Sequence, residues 1–99
     1  MIDKAHCIEN TIVIVNNKKT KWNLDMKNTK FNGLVCFPFD ERGTLMGKEK
    51  EILIGTKLII LSKPKRFNDN GNQVKFKLEN DDTILSAWWI CFKHKVDLI

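Results

Sequence analysis

The most regular pattern of apolar and polar positions in the chain runs from Gln73 to Glu79. Val74, Phe76 and Leu78 alternate there with Lys75, Lys77 and other polar residues. Neighbouring residues of a β-strand point to opposite faces of its sheet, so this alternation predicts a half-buried strand. We expect its apolar face on the core and its lysines on the outer face.

Further strands are predicted where β-branched and aromatic residues cluster or alternate between turn-forming residues. These segments are Thr11–Val15, Thr20–Asp25, Phe31–Phe39, Glu51–Leu61 and Thr83–Val96. The first two are expected to form a hairpin, and Gly55 is expected to introduce a bulge or sharp coiling into the fourth. No segment is predicted to be helical.

Five to six such strands within 99 residues predict an all-β architecture in a single domain that spans residues 1–99. We expect a small barrel of mostly antiparallel strands, SH3-like or OB-like in kind. A compact β-sandwich is the alternative architecture.

Two adjacent tryptophans, Trp88 and Trp89, lie in the last predicted strand and must point to opposite faces of it. A three-residue loop at Asn80–Asp82 would bury Trp88 and turn Trp89 towards the lysines. A two-residue loop would reverse this parity and turn Trp88 and Phe92 to the lysine face.

We favour the three-residue loop for this last hairpin. It would place Val74 opposite Trp88, put the larger apolar set of the strand in the core and leave Lys93 and Lys95 in solvent. The register of this hairpin therefore decides which tryptophan is on the outer face.

The charge of the chain indicates which class of partner it binds. Lysine and arginine number 17 against 12 acidic residues, which gives a net charge of +5. Such an excess favours polyanions, either nucleic acid or an acidic protein surface. The alternative is that the lysines only keep a small β domain soluble and protect its edges. The abundance of Lys, Asn and Ile is typical of an AT-rich genome, such as that of an AT-rich bacterium or its phage.

The favoured function is binding of nucleic acid, with single-stranded RNA preferred over duplex DNA. Aromatic faces stack on bases and lysines neutralise phosphates, and both residue types fall on one predicted face. The candidate binding residues are Lys63, Lys65, Arg66, Lys75, Lys77, Trp89, Lys93 and Lys95. Trp89 is the expected stacking platform, and Lys63, Lys65 and Arg66 form a flanking basic loop.

The alternative function is protein binding, as an interaction module or an inhibitor that could be encoded by a phage. An exposed strand edge or the apolar tail Val96–Ile99 could pair with a partner or with a second copy of the chain, so a homo-oligomer fits this hypothesis. The apolar pair Leu45 and Met46 is a second candidate contact.

The remaining chemistry of the sequence favours a protein without catalysis or cofactor. Cys91 and His94 are three residues apart, and on a strand they would face opposite sides, so we expect no metal site. No nucleophile–base pair, carboxylate pair or glycine-rich phosphate loop has a convincing spacing. Three cysteines with no secretion signal favour free thiols in a soluble cytoplasmic protein, and no apolar run is long enough for a membrane span.

Overall fold

The computed structural model describes residues 1–18, 33–38, 47–68 and 71–99. This part of the chain forms a 3₁₀ turn (Lys4–His6), eight strands and one short α-helix. In chain order they are β1 (Ile12–Val15), β2 (Leu34–Pro38), β3 (Lys50–Ile52), β4 (Lys57–Ile60), β5 (Lys65–Asn68), β6 (Gly71–Leu78), β7 (Asp81–Trp88), α1 (Trp89–Lys95) and β8 (Val96–Leu98).

The described strands form one antiparallel sheet that curls into a half-barrel, which confirms the predicted all-β, barrel-like class. The strand order is β3-β2-β7-β6-β4-β1-β8, and β5 pairs with β6 beside this path. β6 is central to the sheet because it pairs with β7 along one edge and with β4 and β5 along the other. Its alternating residues therefore define an inner and an outer face.

The sheet has more strands than the expected five to six because one predicted strand is divided in two and because β5 and β8 are additional. The expectation of a basic loop is wrong for Lys65 and Arg66, which belong to strand β5. Glu51–Leu61 breaks at a turn in which the Thr56 nitrogen donates to the Leu53 carbonyl oxygen at 3.2 Å. Gly55 has φ +89°, a left-handed conformation that residues with a Cβ rarely adopt. The glycine predicted to bulge a continuous strand therefore reverses the chain between β3 and β4.

The predicted N-terminal hairpin is wrong at β1, because both edges of this strand have other partners. β1 pairs antiparallel with β4 along one edge and with β8 along the other. Thr20–Asp25, its predicted partner, lies outside the described residues, as do Phe31, Phe39, Leu45 and Met46. Within Phe31–Phe39 the structure describes Leu34–Pro38 as a strand, in which Leu34 and Cys36 are buried.

The core lies on the inner face, where the apolar side chains of β6 meet those of the other strands and of α1. Val74 and Phe76 are fully buried, and the Phe76 ring lies 5.3 Å from the ring of Phe92 in α1. The helix therefore packs across the inner face of the half-barrel. Among the described residues no helix is both long enough and apolar enough to cross a membrane.

The prediction of a single strand from Thr83 to Val96, and of no helix, is wrong. The strand ends at Trp88, and Trp89–Lys95 is α-helical. In a helix, residues three and four apart share a face, so Trp89 and Phe92 both reach the core. The three consecutive basic residues of the last turn, Lys93–Lys95, suit the negative end of the helix dipole.

Gly33 is a position where we expect even a methyl group to be costly. An ideal Cβ there would lie 2.0 Å from the backbone oxygen of Ile52, a residue of β3 in the pair of strands β2 and β3. Gly33→Ala should therefore lower the free energy of unfolding in urea by about 1–3 kcal/mol, as overpacking does elsewhere. Gly47→Ala is the matched control, because its nearest atom is 3.8 Å away. Equal costs for the two variants would contradict this packing.

Cys36 should make stability depend on alkaline pH. Burial raises the pKa of its thiol from 9.0 to about 11, against a smaller opposing effect of Lys50. A raised folded pKa stabilises the protein below pH 9, and this contribution is lost as the pH rises through 9 towards 11. The free energy of unfolding should fall by about 1.4 kcal/mol more between pH 8 and pH 10 in the parent protein than in Cys36→Ala. Identical pH profiles would contradict the burial of this thiol.

Candidate nucleic-acid interface

The register between β6 and β7 decides which residues share the outer face. The two strands are joined by the two residues Glu79 and Asn80, since Leu78 pairs with Asp81. After an irregularity between Phe76 and Leu78, Val74 pairs with Ala87 and Gln73 pairs with Trp88. The favoured three-residue loop, with Val74 opposite Trp88, is therefore wrong, and the two-residue alternative describes the position of Trp88.

Two features explain why β6 and β7 adopt this register. Asp81 accepts a hydrogen bond from the backbone nitrogen of Thr83 at 2.8 Å, which closes the tight turn and lowers the pKa of this carboxyl group. The register also buries Leu85 and Ala87 opposite Phe76 and Val74. The small Ala87 occupies the core position that Trp88 was predicted to fill.

The outer face carries two cross-strand rows. Lys65, Gln73 and Trp88 form one row through β5, β6 and β7. Phe37, Ser86 and Lys75 form the next row through β2, β7 and β6. We call these six residues the outer-face patch. Lys65 and Lys75 are exposed, whereas Phe37 and Trp88 are half-buried.

The polar centre of the outer-face patch is a buried pair of neutral side chains. Gln73 and Ser86 are 7% and 2% exposed, and the Ser86 hydroxyl donates to the Gln73 amide oxygen at 2.5 Å. Buried polar groups cost free energy unless they find a partner, and each of these supplies one for the other. The hydrogen bond therefore holds the Gln73 amide in one orientation beside Trp88.

Trp89 lies on the opposite side of the sheet from the outer-face patch. It packs against the core, and its ring centroid is 6.5 Å from that of Phe92. Phe92 contacts Phe76, whose side chain points away from the face of Lys75. The expectation that Trp89 shares a face with Lys75 is therefore wrong, because the chain turns into α1 at this residue.

Lys93 and Lys95 belong to the same helical layer as Trp89. Lys93 is half-buried, and Lys95 is only 2% exposed rather than in solvent as expected. The helical spacing of three residues places Lys95 on the buried side with Phe92. The Lys95 ammonium donates to the carbonyl oxygen of Lys18 at 2.8 Å. Burial lowers the pKa of Lys95, and the charge of Glu51 acts in the opposite direction.

The other predicted site residues surround the outer-face patch. Lys63 is exposed in the connection between β4 and β5, and Arg66 is exposed on β5 at the position next to Lys65, so it alternates to the other face. Lys77 follows Lys75 on the outer face, and its ammonium lies 3.5 Å from the carboxylate of Asp82. Lys63, Lys65, Lys75 and Lys77 thus lie on or beside one surface.

Groups suited to metal or catalytic chemistry are dispersed over the described residues. No three His, Cys, Asp or Glu side chains within residues 1–18, 33–38, 47–68 and 71–99 are grouped as metal ligands would be. Burial raises the thiol pKa of Cys7, Cys36 and Cys91, and all three thiols are free. Burial and the neighbouring Lys93 lower the pKa of His94.

Comparison with protein-family models, with curated proteins and with solved structures finds no match for this chain.

The two aromatic residues on opposite sides of the sheet should differ in their effect on stability. Phe92 is fully buried against Phe76, so Phe92→Ala should cost about 3–5 kcal/mol. Trp88 is half-buried on the outer face, and Trp88→Ala should cost clearly less although it removes the larger ring. Urea unfolding of both variants measures this difference. A larger loss of unfolding free energy for Trp88→Ala than for Phe92→Ala would instead support the register that places Trp88 in the core.

Proposed function

We propose that this protein binds single-stranded nucleic acid, RNA in the first place, through the outer-face patch and the basic residues beside it. The observation that carries the proposal is the cross-strand row of Lys65, Gln73 and Trp88, with Lys75 next to it. It combines an aromatic ring with positive charges on one face of a sheet. The platform is Trp88 rather than the tryptophan favoured by sequence.

Each component of this surface has a distinct physical role. An unpaired base stacked on an aromatic side chain contributes ~1–3 kcal/mol, largely independent of its identity. Lys65 and Trp88 lie on strands that are two apart, a separation of about 10 Å. The backbone of a base on Trp88 would therefore extend over β6, towards Lys75 on that strand or Lys65 on the strand beyond it. Lys63 and Lys77 would add charge around this path.

The shape of the surface favours a single strand over a duplex. Trp88 is half-buried on the outer face of the sheet, and a base can stack on an aromatic side chain there only if that base is unpaired. Bases of a duplex are already stacked on each other and present only their edges in the grooves. Duplex DNA would reach the lysines but leave the ring unused.

The same residues favour a binding protein over an enzyme. The outer-face patch has one neutral hydrogen-bonded pair, two aromatic rings and two lysines. These groups can bind a ligand, but they do not suit general acid–base chemistry at neutral pH. Three free thiols fit a reducing compartment such as the cytoplasm, where RNA would be encountered.

A second candidate function is protein binding at the β8 edge. β8 ends the strand order of the described residues, and Leu98 and Ile99 are 44% and 68% exposed. Ile12 on the neighbouring β1 is also exposed, so apolar side chains accompany this edge. Edges of this kind can accept a further strand. Pull-down with the parent protein and with Leu98→Lys would test it, since a partner bound there should be lost from the variant.

Binding to a labelled, mixed-sequence single-stranded RNA over a salt series tests the nucleic-acid proposal. Affinity should fall steeply as salt rises, with a logarithmic slope of about 0.7 for each phosphate neutralised. Lys75→Gln and Lys65→Gln should each weaken binding and reduce this slope. Lys93→Gln removes the same charge from α1 on the other side of the sheet, and we expect it to leave the slope unchanged.

Trp88→Ala completes the test, because it should weaken binding at every salt concentration while the slope stays constant. Absence of binding at low salt would refute the proposal. An effect of Lys93→Gln as large as that of Lys75→Gln would move the site to α1.

A further inference from the structure

We infer that the nucleic acid lies along β6 and extends past Lys77 to Lys57, which is a further binding residue at the far end of the interface. The inference rests on the proposed function, because it gives that function a path and a length. Its starting point is the register of β6 with β4 and β5, which both pair with the same edge of β6.

Lys57 belongs to the outer face, although the sequence pattern did not single it out. It is the first residue of β4 and pairs with Ile14 of β1. The next residue, Leu58, is fully buried, so the alternation of the strand turns Lys57 to the outer side. Lys57 is exposed there, on the same face as Lys75 and Lys77.

The other lysines of this face follow each other in successive cross-strand rows of the sheet. Lys65 pairs with Gln73 and belongs to its row. Lys75 and Lys77 are two and four residues further along β6, so they belong to the next two rows. One lysine therefore stands in each of these three rows.

Lys57 adds a fourth row to this series. Ile59 of β4 pairs with Lys77, and β4 runs antiparallel to β6. Lys57 is two residues before Ile59, so it takes the row beyond Lys77. We call the residues of these four rows the lysine ladder, which consists of Lys65, Lys75, Lys77 and Lys57.

The spacing of the lysine ladder suits a single strand that runs along β6. Consecutive rows on one face are two residues apart, which is about 6.6 Å, and the four rows span roughly 20 Å. Adjacent phosphates of an extended nucleic-acid strand are separated by a similar distance, so each lysine can meet one phosphate. The backbone of a duplex winds around its axis and would leave this straight series of charges. The lysine ladder therefore favours an extended single strand.

Acidic residues near the far end of the lysine ladder reduce its charge without blocking it. The Lys77 ammonium lies 3.5 Å from the carboxylate of Asp82, whose side chain is fully exposed. Exposed ion pairs contribute little free energy, whereas each phosphate contact also releases counterions from the nucleic acid. A phosphate can therefore take the place of Asp82. Glu79 is a second exposed acid at this end of β6, so we expect Lys77 and Lys57 to contribute less than Lys75.

Binding of a labelled octauridine to the full chain over a salt series tests the inference. Lys57→Gln should reduce the logarithmic salt slope by about 0.7, which is one phosphate contact, and should weaken binding roughly two- to fivefold at 0.1 M salt. Lys65→Gln, at the other end of the lysine ladder, should reduce the slope in the same way, and the double variant should lose both contacts. Lys93→Gln on α1 is the matched control and should leave the slope unchanged.

Urea unfolding of Lys57→Gln verifies that this variant is folded under the binding conditions. An unchanged slope in folded Lys57→Gln, together with a reduced slope in Lys75→Gln, would overturn the path along β6 and leave the proposed function standing. An equal reduction in Lys93→Gln would overturn the path too, because the charges would then act without a defined position. Failure of the parent protein to bind octauridine at low salt would instead refute the proposed function.

Discussion

The pairing of Val74 with Ala87 is the contact on which the rest of the structure depends. It places Leu85 and Ala87 in the core, and the strict alternation of a strand then turns Ser86 and Trp88 outward. A shift of one residue would exchange these sets and bury a tryptophan where an alanine now fits. The outer-face patch is thus a consequence of core packing, since the same register that fills the inner face assembles Lys65, Gln73 and Trp88 in a row.

The second consequence of this register is the helix that follows. Because the strand ends with Trp88 outward, the next residue begins the turn that carries α1 back over the inner face. Phe92 then closes the half-barrel against Phe76. The cost of this closure is the burial of Lys95, whose ammonium is satisfied by the carbonyl oxygen of Lys18. The two layers separate the basic residues of α1 from those of β5 and β6.

The sequence predicted those parts of the fold in which the apolar residues follow a single periodicity, either that of a strand or that of a helix. The alternation from Gln73 to Glu79 identifies β6, its buried set and its outward lysines, because no other element has that period. The turn at Gly55 was found as an interruption, but whether a glycine bulges a strand or reverses it depends on partners elsewhere, here the β1 residue Val15. Local sequence does not contain that information.

The end of the chain was mispredicted because two periods overlap in it. Trp88, Ile90 and Phe92 alternate as in a strand, whereas Trp89, Phe92 and Val96 are spaced as on one face of a helix. The run of basic residues at 93–95 favours a helix C-terminus and was the signal that could have decided it. The burial of Lys95 could not be read from sequence, because a lysine is seldom buried and its partner is a backbone carbonyl 77 residues away.

The central claim is that a nucleic acid contacts Trp88 on the outer face, and that it does not contact Trp89. The most direct measurement is an NMR titration with a single-stranded RNA, in which the indole N–H signals are assigned by Trp→Phe substitution. We expect the Trp88 indole and the backbone amides of Gln73 and Lys75 to shift on binding, while the Trp89 indole and the amides of α1 stay in place. Shifts confined to Trp89 and α1, with Trp88 unchanged, would contradict the claim.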